Sequence, residues 1–214
     1  MSALRAEASA FGAVLESLTA AEWELPTRCA PWLVRDLAGH VITVLSRVPV
    51  MIAAPAPSAP DTTAAGYYRA DKRFSETANT ERVRTAQARA VSPAEFAATV
   101  AAMLHAVDGA AADRVVVTRH GDAMLLTDFL TTRVVELAVH GLDVADALGR
   151  PAWITPQAAA VVLDLLFGPD RQSAITGLGA DPETVLRRAT GRAPVTPAES
   201  GRLTEAGLRR LTLG

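Results

Sequence analysis

One of the chain's four histidines, His140, stands four residues after Glu136. In a helix that spacing puts a carboxylate and an imidazole on one face, about one turn apart. Both can then grip a single ion. Arg133 and Asp143 share the same row. A second imidazole, His40, lies between apolar Leu37 and Val41 in an earlier helical stretch. If the two stretches face each other, His40, Glu136 and His140 make a His₂Glu set with coordination positions left over, the pattern of catalytic rather than closed structural sites. A Glu–His pair at this spacing is also common on solvated helix surfaces, and spacing alone does not choose between the two. Asp143, three residues after His140, is placed to support that imidazole from behind. Asp36 either orients His40 or serves the helix dipole in the first turn. Arg133 orients Glu136, contacts a substrate anion or lies on the helix surface. His105 and His120 read as surface residues, and Trp32 and Trp153 as packing anchors. Cys29 has no histidine near it in sequence and reads as a buried structural thiol.

These side chains need helices to hold them. Leu4, Ala8, Phe11, Leu15 and Leu18 recur at helical spacing and predict a helix over residues 3–18. Thr19-Ala20-Ala21-Glu22 is a capping box opening a short turn, and Pro26 and Pro31 frame a rigid connection through Cys29. A second helix is expected from Leu33 to Val48, ended by Pro49. Residues 49–91 are Pro/Ala/Ser-rich and then polar, through Tyr67, Tyr68, Lys72, Arg73, Arg82 and Arg84, with room for one short helix. Ser92-Pro93-Ala94-Glu95 caps a third helix closing near Asp108-Gly109. Val115–Thr118 and Ala123–Leu126 flank a turn and read as a small hairpin. Thr127 is expected to cap a fourth helix, Asp128 to Leu148, stopped by Gly149 and Pro151. Shorter helices follow: one from Thr155-Pro156 to Phe167, stopped by Gly168-Pro169, one from Asp181 to about Gly191, and a last one over roughly 198–212. The fold class is therefore mainly all-α: a four-helix bundle with a long connection between its second and third helices, a hairpin before the fourth, and extra C-terminal helices. One long connection allows an up-down-down-up order. Residues 1–150 are expected to form the bundle and 151–214 a helical extension packed on it.

Composition bounds the function. The 214 residues carry a net charge of −2, without the basic excess of a nucleic-acid footprint. Half the residues are hydrophobic but only 5% aromatic, which suits closely packed helices. The single cysteine excludes an intrachain disulfide and suits a reducing cytoplasm. The N-terminal residues lack the pattern of a signal peptide, and no run of 18 apolar residues predicts a membrane span. There is no G-x-S-x-G elbow, P-loop or dinucleotide fingerprint, and Gly177-Leu178-Gly179 lacks a third glycine. An enzyme built this way brings its reactive group with a cofactor or cosubstrate.

The stretch Cys29-Ala30-Pro31-Trp32-Leu33-Val34-Arg35-Asp36-Leu37-Ala38-Gly39-His40 resembles the first motif of the mycothiol-dependent maleylpyruvate isomerase family, within the DinB-like superfamily. Thr132–Asp143 resembles its second motif, and Leu186–Pro194 is similar to a stretch near the end of short members. The resemblance implies a DinB-like bundle with one divalent metal, usually zinc, on His40, Glu136 and His140. It also implies mycothiol or a similar thiol as cosubstrate, held as thiolate and attacking a small electrophile in transfer or isomerisation. Leu33 replaces the Ser or Thr cap usual in the family. Two-domain members carry a C-terminal α/β domain, whereas the 64 residues after Arg150 read as helices, so maleylpyruvate itself is not the expected substrate. The expected partners are a thiol and a small electrophile, with neither nucleic acid nor membrane, and a homodimer is compatible with them. The rival classes are a non-catalytic metal- or ligand-binding protein and a hydrolase using metal-activated water.

Overall fold

The computed structural model describes residues 1–71, 75–168 and 171–211. Lys72, Arg73, Pro169 and the expected end of the last helix at 212 lie outside them. Among the described residues there are eleven helices and one two-stranded sheet. The bundle consists of α1 (Ser2–Ser17), α3 (Val34–Ala53), α6 (Pro93–Asp108) and α7 (Leu126–Leu148). Both α1 and α3 pack against both α6 and α7. Each helix thus has two neighbours and one diagonal partner. Leu4, Phe11, Leu37, Leu45, Met103 and Leu137 meet in a core that is fully buried, and Phe11 stacks on Phe96 with ring centroids 5.5 Å apart.

Local chemistry explains most boundaries. The capping box of Thr19 and Glu22 opens α2 (Ala20–Trp23). The third helix starts without a hydroxyl cap. Instead, Asp36 Oδ2 accepts from the Leu33 amide at 3.1 Å. Asp36 therefore secures the helix start, and the expectation that it orients His40 is replaced by this cap. Pro49 does not end α3, which runs on to Ala53. Val48 and Met51, on either side of it, are buried, and the Arg114 guanidinium donates to the Ile52 and Ala54 carbonyls at the helix end. Packing and these bonds offset the hydrogen bond that proline removes, a cost of ~3 kcal/mol.

The long connection holds two helices rather than one: α4 (Ala64–Tyr67) and α5 (Glu76–Gln87). Gly39 allows α5 to lie against α3, since a Cβ there would sit 2.9 Å from the Ala86 carbonyl. The hairpin of β1 (Val115–Val117) and β2 (Ala123–Leu125) pairs antiparallel, with Val116 opposite Met124. The chain passes from β2 directly into α7, so that helix begins at Leu126 and Thr127 lies inside it rather than capping it. Gly149 ends α7 in the left-handed conformation that favours glycine (φ 61°). Beyond it come α8 (Pro156–Phe167), α9 (Arg171–Leu178), α10 (Pro182–Ala189) and α11 (Pro197–Glu205). The sequence pattern had not predicted α9, and α11 is shorter than expected. α8 packs on α1 and α7, and α10 packs on α8, so the core continues from the bundle through Leu163, Leu186 and Leu203. By length and apolarity α3 alone, among the described residues, matches a membrane span, but most of it is buried inside the protein.

Candidate metal centre

The second imidazole and the Glu–His pair do meet. His40 projects from α3 and Glu136 and His140 from the facing side of α7. His40 Nε2 lies 3.1 Å from Glu136 Oε2, and His140 Nε2 lies 3.4 Å from the same oxygen. One ligand atom from each residue falls within 4.8 Å of the other two. The two imidazole rings are 5.2 Å apart and nearly perpendicular, at 88°. Both Nε2 atoms thus face the same carboxylate oxygen.

The groups behind the trio set its orientation. Asp143 is fully buried, and its Oδ2 lies 3.0 Å from His140 Nδ1. An ionised carboxylate only accepts hydrogen bonds, so Nδ1 is the donor and Nε2 is directed to the shared oxygen. Trp32 stacks on His40 with centroids 4.8 Å apart. The loop before α3 holds the indole there: the Thr27 amide and hydroxyl both donate to the Trp32 carbonyl, at 3.0 and 2.8 Å.

Burial and polar contacts compete at every member of the cluster. Burial pushes His40 down to about 4, against the pull of Glu136. Burial would raise Glu136, but hydrogen bonds from His140 and His40 and the charge of Arg133 hold it well below the usual carboxylate range. Burial would likewise lower His140, yet its bonds to Asp143, Cys29 and Glu136 carry it well above the ordinary imidazole value. For Asp143, burial is outweighed by His140 and Arg192, and the group stays ionised. Two imidazoles and a carboxylate, with an ionised carboxylate behind one imidazole, are the donor set of a zinc-type divalent cation with open positions. The residues fit such an ion.

The trio opens onto a cavity of about 530 Å³. Its walls include Tyr67, Arg47, Arg82 and Arg119 on one side and Arg28, Cys29 and Arg192 on the other. Half-buried Arg47 is lowered to about 10 by burial and by the neighbouring charges of Arg119 and Arg133. Neither Arg47 nor Arg119 forms an ion pair with a carboxylate among the described residues.

Arg133 lies elsewhere than the substrate-contact expectation would put it. Its side chain is 1% exposed, 4.4 Å from the Phe129 ring centroid. It donates to the Val44 carbonyl at 3.2 Å and to the Thr132 hydroxyl at 2.9 Å. It underlies Glu136 at 3.9 Å and does not line the cavity. Cys29 is half-buried at the cavity wall, with Sγ 3.3 Å from Asp143 Oδ2, rather than enclosed in the core. His105 is exposed as expected. His120 lines the cavity beside Tyr67. Trp153 packs edge-on against Phe11, a core role.

Sequence reasoning missed Arg192, Arg47, Arg82 and Arg119. The clustering of guanidinium groups carries no local signal, because the four come from four separate elements.

A search of curated proteins gives no match. Two crystal structures share the fold, that of the mycothiol-dependent maleylpyruvate isomerase and that of a histidine-to-alanine mutant of it. Each is 17% identical to this chain, with TM-scores of 0.50 and 0.51, and each superposition covers 76% of this chain. The chain spans only 65% of the length of those proteins. The sequence profile described as the mycothiol maleylpyruvate isomerase N-terminal domain matches residues 4–145. That match covers both motifs and all of the bundle but its first two and last three residues, and by it the chain belongs to the mycothiol maleylpyruvate isomerase N-terminal domain family.

Proposed function

We propose that this protein is a metal- and thiol-dependent isomerase or transferase. In this reading His40, Glu136 and His140 hold one divalent cation, zinc by donor type, and a low-molecular-weight thiol of the mycothiol class attacks a small electrophile in the adjoining cavity. The observation that carries it is the convergence of three donor atoms within 4.8 Å in the wall of that cavity. Family membership supports the thiol. When bound, the cation supplies a positive charge that keeps a thiol ionised near neutral pH.

The chain's own residues do the rest. Asp143 holds the His140 ring through Nδ1. Trp32 covers the His40 ring and keeps water from that side. Arg47, Arg82 and Arg119 form a cationic wall suited to a carboxylate-bearing electrophile. The thiolate's lone pair becomes a carbon–sulfur bond, and the π pair of the attacked carbon–carbon double bond moves into the conjugated carbonyl as an enolate. Expulsion of sulfur after bond rotation gives isomerisation, and retention of sulfur with proton uptake gives transfer. Residues 151–214 serve in this reading as an extension packed on the 1–150 bundle. The reaction suits a reducing cytoplasm and needs neither nucleic acid nor membrane.

Elemental analysis followed by turnover assays tests the proposal. One equivalent of a divalent metal is expected, with conversion of carboxylate-bearing electrophiles that requires mycothiol and stops on chelation. Metal-dependent turnover without thiol would replace the proposal with hydrolysis. Metal binding without any turnover would leave a binding protein.

A further inference from the structure

The segment after α10 turns at Gly191, whose carbonyl accepts from Arg28 Nη2 at 2.6 Å, and sends Arg192 inward. The Arg192 side chain is 2% exposed and that of Asp143 is 0%. Arg192 Nε donates to Asp143 Oδ1 and Nη2 to Asp143 Oδ2, both at 3.0 Å. Its Nη1 donates to the Thr190 carbonyl at 2.8 Å. Asp143 Oδ2 also faces His140 Nδ1 at 3.0 Å. A guanidinium fork thus grips a carboxylate that in turn holds an imidazole at the candidate metal centre.

Two physical consequences follow. A buried carboxylate without a cation beside it carries a heavy desolvation penalty, so the Asp143 charge depends on a partner. A two-point grip also sets the plane of the carboxylate, which a single contact leaves free to rotate. Arg192 lies outside residues 4–145, the region matched by the family profile. The C-terminal segment therefore reaches back into the site of the bundle.

We propose that Arg192 is a positioning residue: by clamping Asp143 it holds His140 with Nε2 aimed at the centre, so that the C-terminal segment completes the site. The metal half of the test rests on the metal reading above, and the second half does not. Zinc affinity of the metal-free protein is measured against a chromophoric chelator for wild type, Arg192→Ala, Arg192→Lys, Asp143→Ala and the Arg192→Ala/Asp143→Ala double variant. Loss of a partner behind a metal-binding histidine weakens affinity by ~10–100-fold, and Arg192→Ala is expected in that range. Arg192→Lys, which keeps the charge but not the fork, is expected to be several-fold weaker than wild type. The double variant is expected to be no weaker than Asp143→Ala alone, since both changes break one chain of contacts. Independently of metal, proton NMR of the metal-free protein is expected to show a solvent-protected His140 Nδ1–H resonance that Arg192→Ala loses.

Affinity within twofold of wild type together with a retained proton resonance would overturn the proposal, as would effects that multiply in the double variant. If Arg192→Ala does not fold, Arg192→Lys reads the same two quantities, and equality with wild type in both overturns the proposal. If the wild type takes up no zinc, the metal reading fails and the proton resonance alone decides the role of Arg192.

Discussion

The cavity has two walls of different construction. On the inner wall, His40, Glu136 and His140 stand on two long helices packed along their length, and each ring is held by a neighbour, Trp32 or Asp143. On the outer wall, Arg82 comes from α5 and Arg119 from the β1–β2 turn, beside Arg47 of α3. The inner wall has helix-level precision, which chemistry at a metal needs to within fractions of an ångström. Two of the outer wall's three arginines come from connections, where substitutions and insertions are tolerated and recognition is altered without touching the core. Under the proposed function, the contrast gives reactivity to the inner wall and substrate choice to the outer one.

The largest expected break is His140→Ala. Removing one of three ligands should weaken zinc binding roughly a thousand-fold, the share of one ligand in a total of roughly 10–16 kcal/mol. Thiol-dependent turnover should vanish, while outer-wall variants keep their metal. Elemental analysis and chelator competition check both halves.

Next is Arg133→Ala, which removes a buried side chain beneath the inner wall together with its bonds to the Val44 carbonyl and the Thr132 hydroxyl. It should cost about 3 kcal/mol, a drop of roughly 6–12 °C in Tm for a protein of this size. The exposed Arg119→Ala should shift Tm by about 1–2 °C at most. Calorimetry of the two variants decides whether the arginines of this region divide into structural and recognition groups.

A smaller effect separates the walls by kinetics. Arg47→Ala should raise KM for a carboxylate-bearing electrophile about tenfold, the value of one charge-assisted hydrogen bond, with kcat and metal content near wild type. A neutral electrophile should show no such change. Equal effects on both substrates would remove substrate choice from the outer wall.

The smallest expected effect lies away from the cavity, where α1 meets the start of α8. Glu7 is fully buried, with Oε2 accepting from the Thr155 amide at 2.9 Å and Oε1 without a partner. Burial raises its carboxyl above the usual range, against the bonds from Thr155. The folded protein therefore holds this proton more tightly than the unfolded chain. Stability falls as pH rises from the unfolded carboxyl value, ~4.3, through the raised folded value, and the penalty is complete above it. Glu7→Gln should gain about 1 kcal/mol at pH 7.5 and nothing at pH 3.5, read from denaturant melts at the two pH values.

Much of this molecule is written locally. Apolar residues at helical spacing gave α1, α3, α6, α7 and α8 to within a few residues, because the positions that share a helix face follow from 3.6 residues per turn. The same rule put Glu136 and His140 side by side. It also put Arg133 in their row, but could not say that Phe129 and the Val44 carbonyl would enclose its guanidinium. Pro49 misled because its local cost was outweighed by burial of Val48 and Met51, a quantity that depends on distant helices. For Asp36 the sequence left two roles open, since one carboxylate can serve either an imidazole one turn on or an amide three residues back, and the bond from the Leu33 amide makes it the first-turn acid.

By itself the sequence determined the bundle helices, the Glu136–His140 pair and, through two motifs, the family. Tertiary structure alone decided that His40 meets that pair across 96 residues of chain and that Arg192 reaches Asp143 across 49. It also brought the arginines of α3, α5 and the β1–β2 turn to one cavity. The reason is one of range: periodicity records what lies within a turn or two of a residue. Which helix lies opposite, and at what rotation, is settled by the burial of apolar surface summed over the whole chain.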